Sequence, residues 1–343
     1  MIRNRVVYLD LLRIVAALGV LCNHIPLAAV HLYDKTATDV DRWLVNGNVH
    51  VMHFAVPVFV MITGALLLSP DKEINYKKIL TKYVWRMVVI LALVGTTFAW
   101  MEIYFQDKHF TMKQILQALL NTLSGHTWRH MWYLYMLIGL YLILPVLKPA
   151  INLLDRWQLD CFIVIGLLFT CFIPGMEKFA NVSVGINFPV MSQYVFCLLL
   201  GYRLSTIEYQ RWKVLMVLVL LFVIIYVGLG YVEYVMGHKS LIWFSSYNSP
   251  LMIFYSACVF LLFKTLPWKG KWLLQHGGGK FARDAFGIYV FHMLWVNIIY
   301  KVIKFNPIEQ GLWTLVPILI IVTFLSWGTT TAFRKIPYVG RYI

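Results

Sequence analysis

Charge is scarce in this chain. Of its 343 residues only 13% are Asp, Glu, Lys or Arg, and just 15 are acidic. A soluble domain carries about 25% charged and about 45–50% apolar residues. Here 60% are hydrophobic and the mean hydropathy is +0.72. Chemical signatures are scarce too. The five cysteines (Cys22, Cys161, Cys171, Cys197, Cys258) all sit inside apolar runs. They form no CxxC pair and no metal-ligand spacing, so they read as small buried hydrophobes and no metal site is expected. Neither G-x-S-x-G nor H-E-x-x-H occurs, which removes two common hydrolase routes. "GGGK" (277–280) lacks the phosphate-loop spacing, and Phe281 follows the lysine. Those glycines read better as a hinge. Alternating ten-residue strand segments, the mark of a membrane barrel, are missing as well.

Long apolar runs are what remains. They recur along the chain between short polar segments, each near the roughly 20 residues needed to cross about 30 Å of hydrocarbon. Ten spans are expected, at about 8–30, 49–68, 84–105, 132–149, 159–174, 190–204, 214–236, 249–265, 285–303 and 312–333. The sixth is the shortest. No repeat or soluble segment interrupts them, so residues 1–343 read as one all-α domain, a polytopic integral membrane helical bundle. With the N-terminus inside, inner segments hold 21 of the 30 Lys and Arg, and outer loops hold 9. That bias predicts both termini cytoplasmic. The net charge of +15 is thus a topology signal and gives no reason to expect nucleic acid. Arg3, Arg5 and the following apolar stretch mimic a signal peptide, but Asp10 and Arg13 interrupt it and it runs too long.

Two inner loops, 71–86 and 264–286, are rich in lysine. They read either as anionic-lipid contacts or as a cytoplasmic anion site. The outer loop 106–130 predicts an amphipathic helix over about Met112–Leu123 at the membrane surface. "Asn181-Val-Ser183" fits a glycosylation sequon, relevant only in a secretory pathway.

The first span, "LDLLRIVAALGVLCNH" (9–24), contains three ionisable groups that lipid penalises. Arg13 and His24 are eleven residues apart, so they share one helical face, about 16 Å apart along the axis. Asp10 lies within about 40° of that face and pairs with Arg13 at i, i+3. Ala17 and Val20 between them are small enough for close approach. A structural polar network would account for a lone histidine. Three such groups on one stripe point to a pathway or site. His24 suits a general base, and Arg13 can bind phosphate or carboxylate with two donors. Arg86, opening the third span, is a further fixed positive charge expected at the same membrane level; a snorkelling interface arginine is the alternative.

Other candidates carry two readings each. His130, Trp132 and Tyr133 open the fourth span, as an aromatic belt or as a sugar-stacking platform. His292 and Tyr289 are three apart on one face of the ninth span, where a structural role competes with a catalytic one. His50 and His53, near the outer end of the second span, read as interface histidines. Pro57 in that span breaks the helical ladder, and Thr63 and Gly64 permit close packing.

The series "YLDLLRIVAALGVLCNH" (8–24), "VPVFVMITGALLL" (56–68), "HMWYLYMLIGLYLILP" (130–145), "QYVFCLLLGYRL" (193–204) and "FGIYVFHMLW" (286–295) resembles the membrane acyltransferase family 3, over nearly the whole length. Arg13 and His24 match the family's Arg-x10-His pattern. In length, and in having no fused extracytoplasmic domain, the chain is similar to the enterobacterial common antigen O-acetyltransferase subgroup. The resemblance implies a bacterial inner-membrane enzyme of about ten spans. It would move an acyl group, usually acetyl, from cytoplasmic acyl-CoA (acetyl-CoA) to a hydroxyl of a surface glycan or its lipid-linked precursor. His24 would be the catalytic histidine, and Arg13 and Arg86 would contact the CoA; the i, i+3 spacing, not the resemblance, adds Asp10 to the catalytic set as the group that holds Arg13 in place. Family members often carry more arginines before the third span, where this chain has lysines and Arg86. Without the motif series, a transporter using the polar stripe as a permeation path would fit equally well.

Overall fold

The computed structural model describes residues 6–107, 109–180, 183–186, 188, 191–229, 231, 243–266 and 277–343. The sequon at Asn181 and loop residues 267–276 lie outside them. Among the described residues there are helices and turns but no strand, as the apolar periodicity predicts. In chain order the helical runs are α1 (Val7–Leu32), α2 (Asp39–Met52), α3 (Ala55–Leu67), α4 (Tyr76–Asp107), α5 (Met112–Leu123), α6 (Trp132–Leu153), α7 (Arg156–Lys178), α8 (Gln193–Thr206), α9 (Arg211–Leu229), α10 (Pro250–Thr265), α11 (Gly279–Val302) and α12 (Leu315–Phe333). Several starts are written in the sequence as capping boxes: Thr38 with Asp41, Thr111 with Gln114, and Asp155 with Gln158. Ser249 caps α10 with Pro250 at its first position.

Nine runs are long and apolar enough to cross a membrane among the described residues, so the chain is a multi-pass membrane protein. The sixth expected span, 190–204, is the exception. α8 has 14 residues, about 21 Å of helix against about 30 Å of hydrocarbon. Its Phe196, Cys197, Leu198 and Leu199 are buried, so its apolar character serves internal packing. The second expected span is also divided, at His53 and Phe54 between α2 and α3. Pro57 has no N–H for the His53 carbonyl, so the helix stops there and restarts with Pro57 in the first turn of α3.

The chain forms two compact units. The first comprises Met1–Ser69 and Leu154–Gly328. Leu21, Ile25 and Ala29 of α1 pack with Val45 and Val49 of α2, Ile288 and Val296 of α11, and Ile318 and Val322 of α12 in one buried cluster. Elsewhere α3 and α8 meet backbone to backbone. A Cβ at Gly64 would sit 1.8 Å from the Leu198 carbonyl oxygen, and one at Gly201 2.1 Å from that of Met61. Only glycine allows this approach, the usual means of joining helices in lipid. Leu215, Met216, Val219, Leu220 and Val223 of α9 face outward, as lipid-facing side chains do.

The second unit comprises Pro70–Leu153 and Thr329–Ile343. Lys148 of α6 donates to the Lys72 carbonyl, and the rings of Tyr83 and Tyr141 lie 5.3 Å apart. α5 covers the residues expected to form the amphipathic helix. It buries Gln114, Ala118 and Thr122 and exposes Met112, Leu116, Leu120 and Leu123. That is inverted relative to a water-facing helix and suits one embedded at a membrane interface.

Candidate functional site

α1 carries the site and is unbroken from Val7 to Leu32. The eleven-residue spacing of Arg13 and His24 therefore translates into about 16 Å along one helix. Asp10 is buried (3% exposed), and Arg13 Nη1 donates to its Oδ1 at 2.5 Å. The Arg13 side chain keeps about a third of its surface, 32%. One guanidinium edge is thus anchored while the rest can meet an anion, the bidentate chemistry for which arginine is suited.

Around His24 the helix is deliberately incomplete. Pro26 has no N–H, so the Cys22 carbonyl lacks its normal partner four residues on. In a membrane interior that loss must be repaired by a neighbour. Asn48 of α2 does so, its Nδ2 donating to the Cys22 oxygen at 2.6 Å. Tyr300 of α11 donates its hydroxyl to the Ile25 carbonyl at 3.2 Å. Tyr33 in turn donates its own hydroxyl to the Tyr300 carbonyl at 2.8 Å. The turn of α1 that holds His24 is therefore gripped from two sides.

His24 itself is partly exposed, and its Nδ1 lies 2.8 Å from Nε2 of His292. The two rings are nearly parallel, 10° apart, with centroids separated by 5.0 Å. His292 is fully buried (0% exposed), and its Nδ1 lies 2.6 Å from the carbonyl oxygen of Tyr289, one turn back on α11. The two intramembrane histidines, expected as separate features, form one pair. Its accessible member is His24.

The remaining candidates divide by unit. His292 and Tyr289, for which the sequence leaves a structural and a catalytic role open, are both buried. In that position neither presents surface to a substrate, because packing of α11 against α1 covers them. Arg86 belongs to the second unit, where its Nε donates to the Tyr342 carbonyl at 2.7 Å. His130 and Tyr133 are buried in that unit and Trp132 is partly exposed. There Trp128 stacks on Phe98 at 4.1 Å, with His130 at 6.0 Å from the same ring. His53, in the break between α2 and α3, donates through Nδ1 to the Ser245 carbonyl at 2.7 Å. Among the described residues no three metal-ligating side chains cluster.

Sequence reasoning does not reach Asn48 or Tyr300. The available signal for Asn48 is Pro26: it orphans a carbonyl, and a lone amide on a neighbouring apolar face is the natural donor.

Residues 6–331 match a family model described as an acyltransferase domain. No curated protein and no solved structure matches the chain.

Proposed function

The chain belongs to acyltransferase family 3 and is a multi-pass membrane acyltransferase; on that premise we propose that it is an O-acyltransferase of the bacterial inner membrane, moving an acetyl group from cytoplasmic acetyl-CoA to a hydroxyl of a surface glycan or its lipid-linked precursor. The observation that carries this reading is the arrangement on α1. A partly exposed histidine, backed by a buried partner, stands about 16 Å from an anchored arginine on the same helix.

The chemistry follows from that spacing. Arg13 holds a phosphate at the charged end of the donor, and the thin thioester arm runs along α1 to His24. The acceptor hydroxyl attacks the thioester carbonyl while His24 removes its proton. The new bond is C–O, the broken bond is C–S, and the proton held by His24 passes to the departing thiolate, giving coenzyme A as the free thiol. Asp10 acts through Arg13, holding its guanidinium in place.

The test is direct. Purified protein in lipid nanodiscs is given labelled acetyl-CoA and a glycan acceptor. Label should move to the acceptor with the intact protein and stay on the donor with His24→Ala. Vectorial flux of glycan without label transfer would instead establish a transporter.

A further inference from the structure

We propose that His292 is a positioning residue that, anchored on the Tyr289 carbonyl, fixes the tautomer of His24 so that the lone pair of His24 lies on Nε2. This rests on the reading of His24 as the base and extends it to a second helix. The hydrogen-bond geometry leaves little choice. A backbone carbonyl can only accept, so the 2.6 Å contact from Tyr289 requires the proton of His292 on Nδ1. With that ring neutral, its Nε2 carries the lone pair and accepts. The 2.8 Å contact then requires His24 to donate from Nδ1. In a neutral imidazole only one nitrogen is protonated, so Nε2 of His24 is the basic one. This is the tautomer that free histidine populates less, and a dedicated partner is needed to hold it.

Burial assigns the two rings different tasks. His292 has no exposed surface and reaches only protein, whereas His24 is partly exposed. The order is therefore Tyr289 carbonyl, His292, His24, substrate hydroxyl. When His24 Nε2 takes the hydroxyl proton, its Nδ1–H bond to His292 becomes charge-assisted and about twice as strong. His292 thus supports the imidazolium that forms during the reaction, the task a carboxylate performs in hydrolase triads. A neutral ring in this place avoids burying a further full charge in the membrane.

The experiment uses the intact protein in nanodiscs. His292→Phe keeps a flat ring but offers no acceptor. It should lower kcat by about 10²-fold, within the range for general-base catalysis, with KM for acetyl-CoA within about threefold of the original. His292→Gln offers a carbonyl oxygen to Nδ1–H and should recover activity to within about tenfold. Nitrogen-15 NMR of histidine-labelled protein, with the His24 signals assigned by their loss in His24→Ala, should show Nδ1 protonated and Nε2 bare. In His292→Phe the proton should move toward Nε2. The proposal is overturned by a His292→Phe protein of unchanged kcat, by a glutamine variant no better than phenylalanine, or by a proton on His24 Nε2 in the original protein. Full transfer by His24→Ala would instead remove the base assignment while the NMR result still decided the tautomer.

Discussion

Nδ1 of His24 and Nε2 of His292, 268 residues apart in sequence, lie 2.8 Å from each other, their rings nearly parallel, where α1 meets α11. The contact joins α1 to α11, two helices long and apolar enough to cross a membrane, where polar groups are costly. It also separates the roles of the two rings, since only His24 has surface to offer.

His24→Ala removes the group that accepts the hydroxyl proton. Acetyl transfer should fall by about 10²–10⁴-fold, while the protein still purifies as a monodisperse detergent-solubilised species. Transfer at the original rate in that variant would sink the assignment.

Arg13→Ala should act on binding. Loss of one charge-assisted contact to the donor predicts a rise of about tenfold in KM for acetyl-CoA, about 1.4 kcal/mol, with kcat nearly unchanged. Asp10→Asn should move KM in the same direction by less, because Arg13 keeps its charge and loses only its anchor at 2.5 Å. Steady-state kinetics with the acceptor saturating separates the two parameters. An unchanged KM in Arg13→Ala would show that the guanidinium does not hold the donor.

Spacing alone places Asp10, Arg13 and His24 on one stripe, because a helical period needs only local sequence and α1 is continuous. The amphipathic α5 is legible for the same reason, down to its ends at Met112 and Leu123. The partner of His24 is not, since no period relates residues 24 and 292. Hydropathy suggests a full span at 190–204, but α8 is only 14 residues long. Interior helices and lipid-facing helices have the same apolar composition, so composition cannot tell them apart. Pro57 signals trouble in the second span, and the break at His53 is its physical consequence.

Asn48 should be essential only because Pro26 is present. Asn48→Leu leaves the Cys22 carbonyl without its donor in the membrane interior, a loss of about 1–3 kcal/mol. Pro26→Ala supplies an N–H to the same carbonyl from within α1. In that background Asn48→Leu should cost much less. A double-mutant cycle on thermal stability in nanodiscs measures the coupling. Additive losses would show that the amide does not stand in for the missing helical bond.

The glycines of the α3–α8 contact offer the sharpest contrast in stability. Gly64→Ala would put a methyl 1.8 Å from the Leu198 carbonyl oxygen, and Gly201→Ala would put one 2.1 Å from that of Met61. Both contacts are to backbone, which cannot rotate aside as a side chain can, so the helices must separate along their length. α8 is buried and too short to cross the bilayer, so it has no lipid-facing position to retreat to. Gly139 of α6 is a control in the same kind of helix, since an added Cβ there meets nothing within 4 Å. Gly139→Ala should leave the melting temperature unchanged or raise it slightly, by removing about 0.5–1 kcal/mol of glycine's helix cost. Gly64→Ala and Gly201→Ala should each lower it by several degrees, or prevent recovery of folded protein. Equal behaviour of all three variants would mean that α3 and α8 do not meet backbone to backbone.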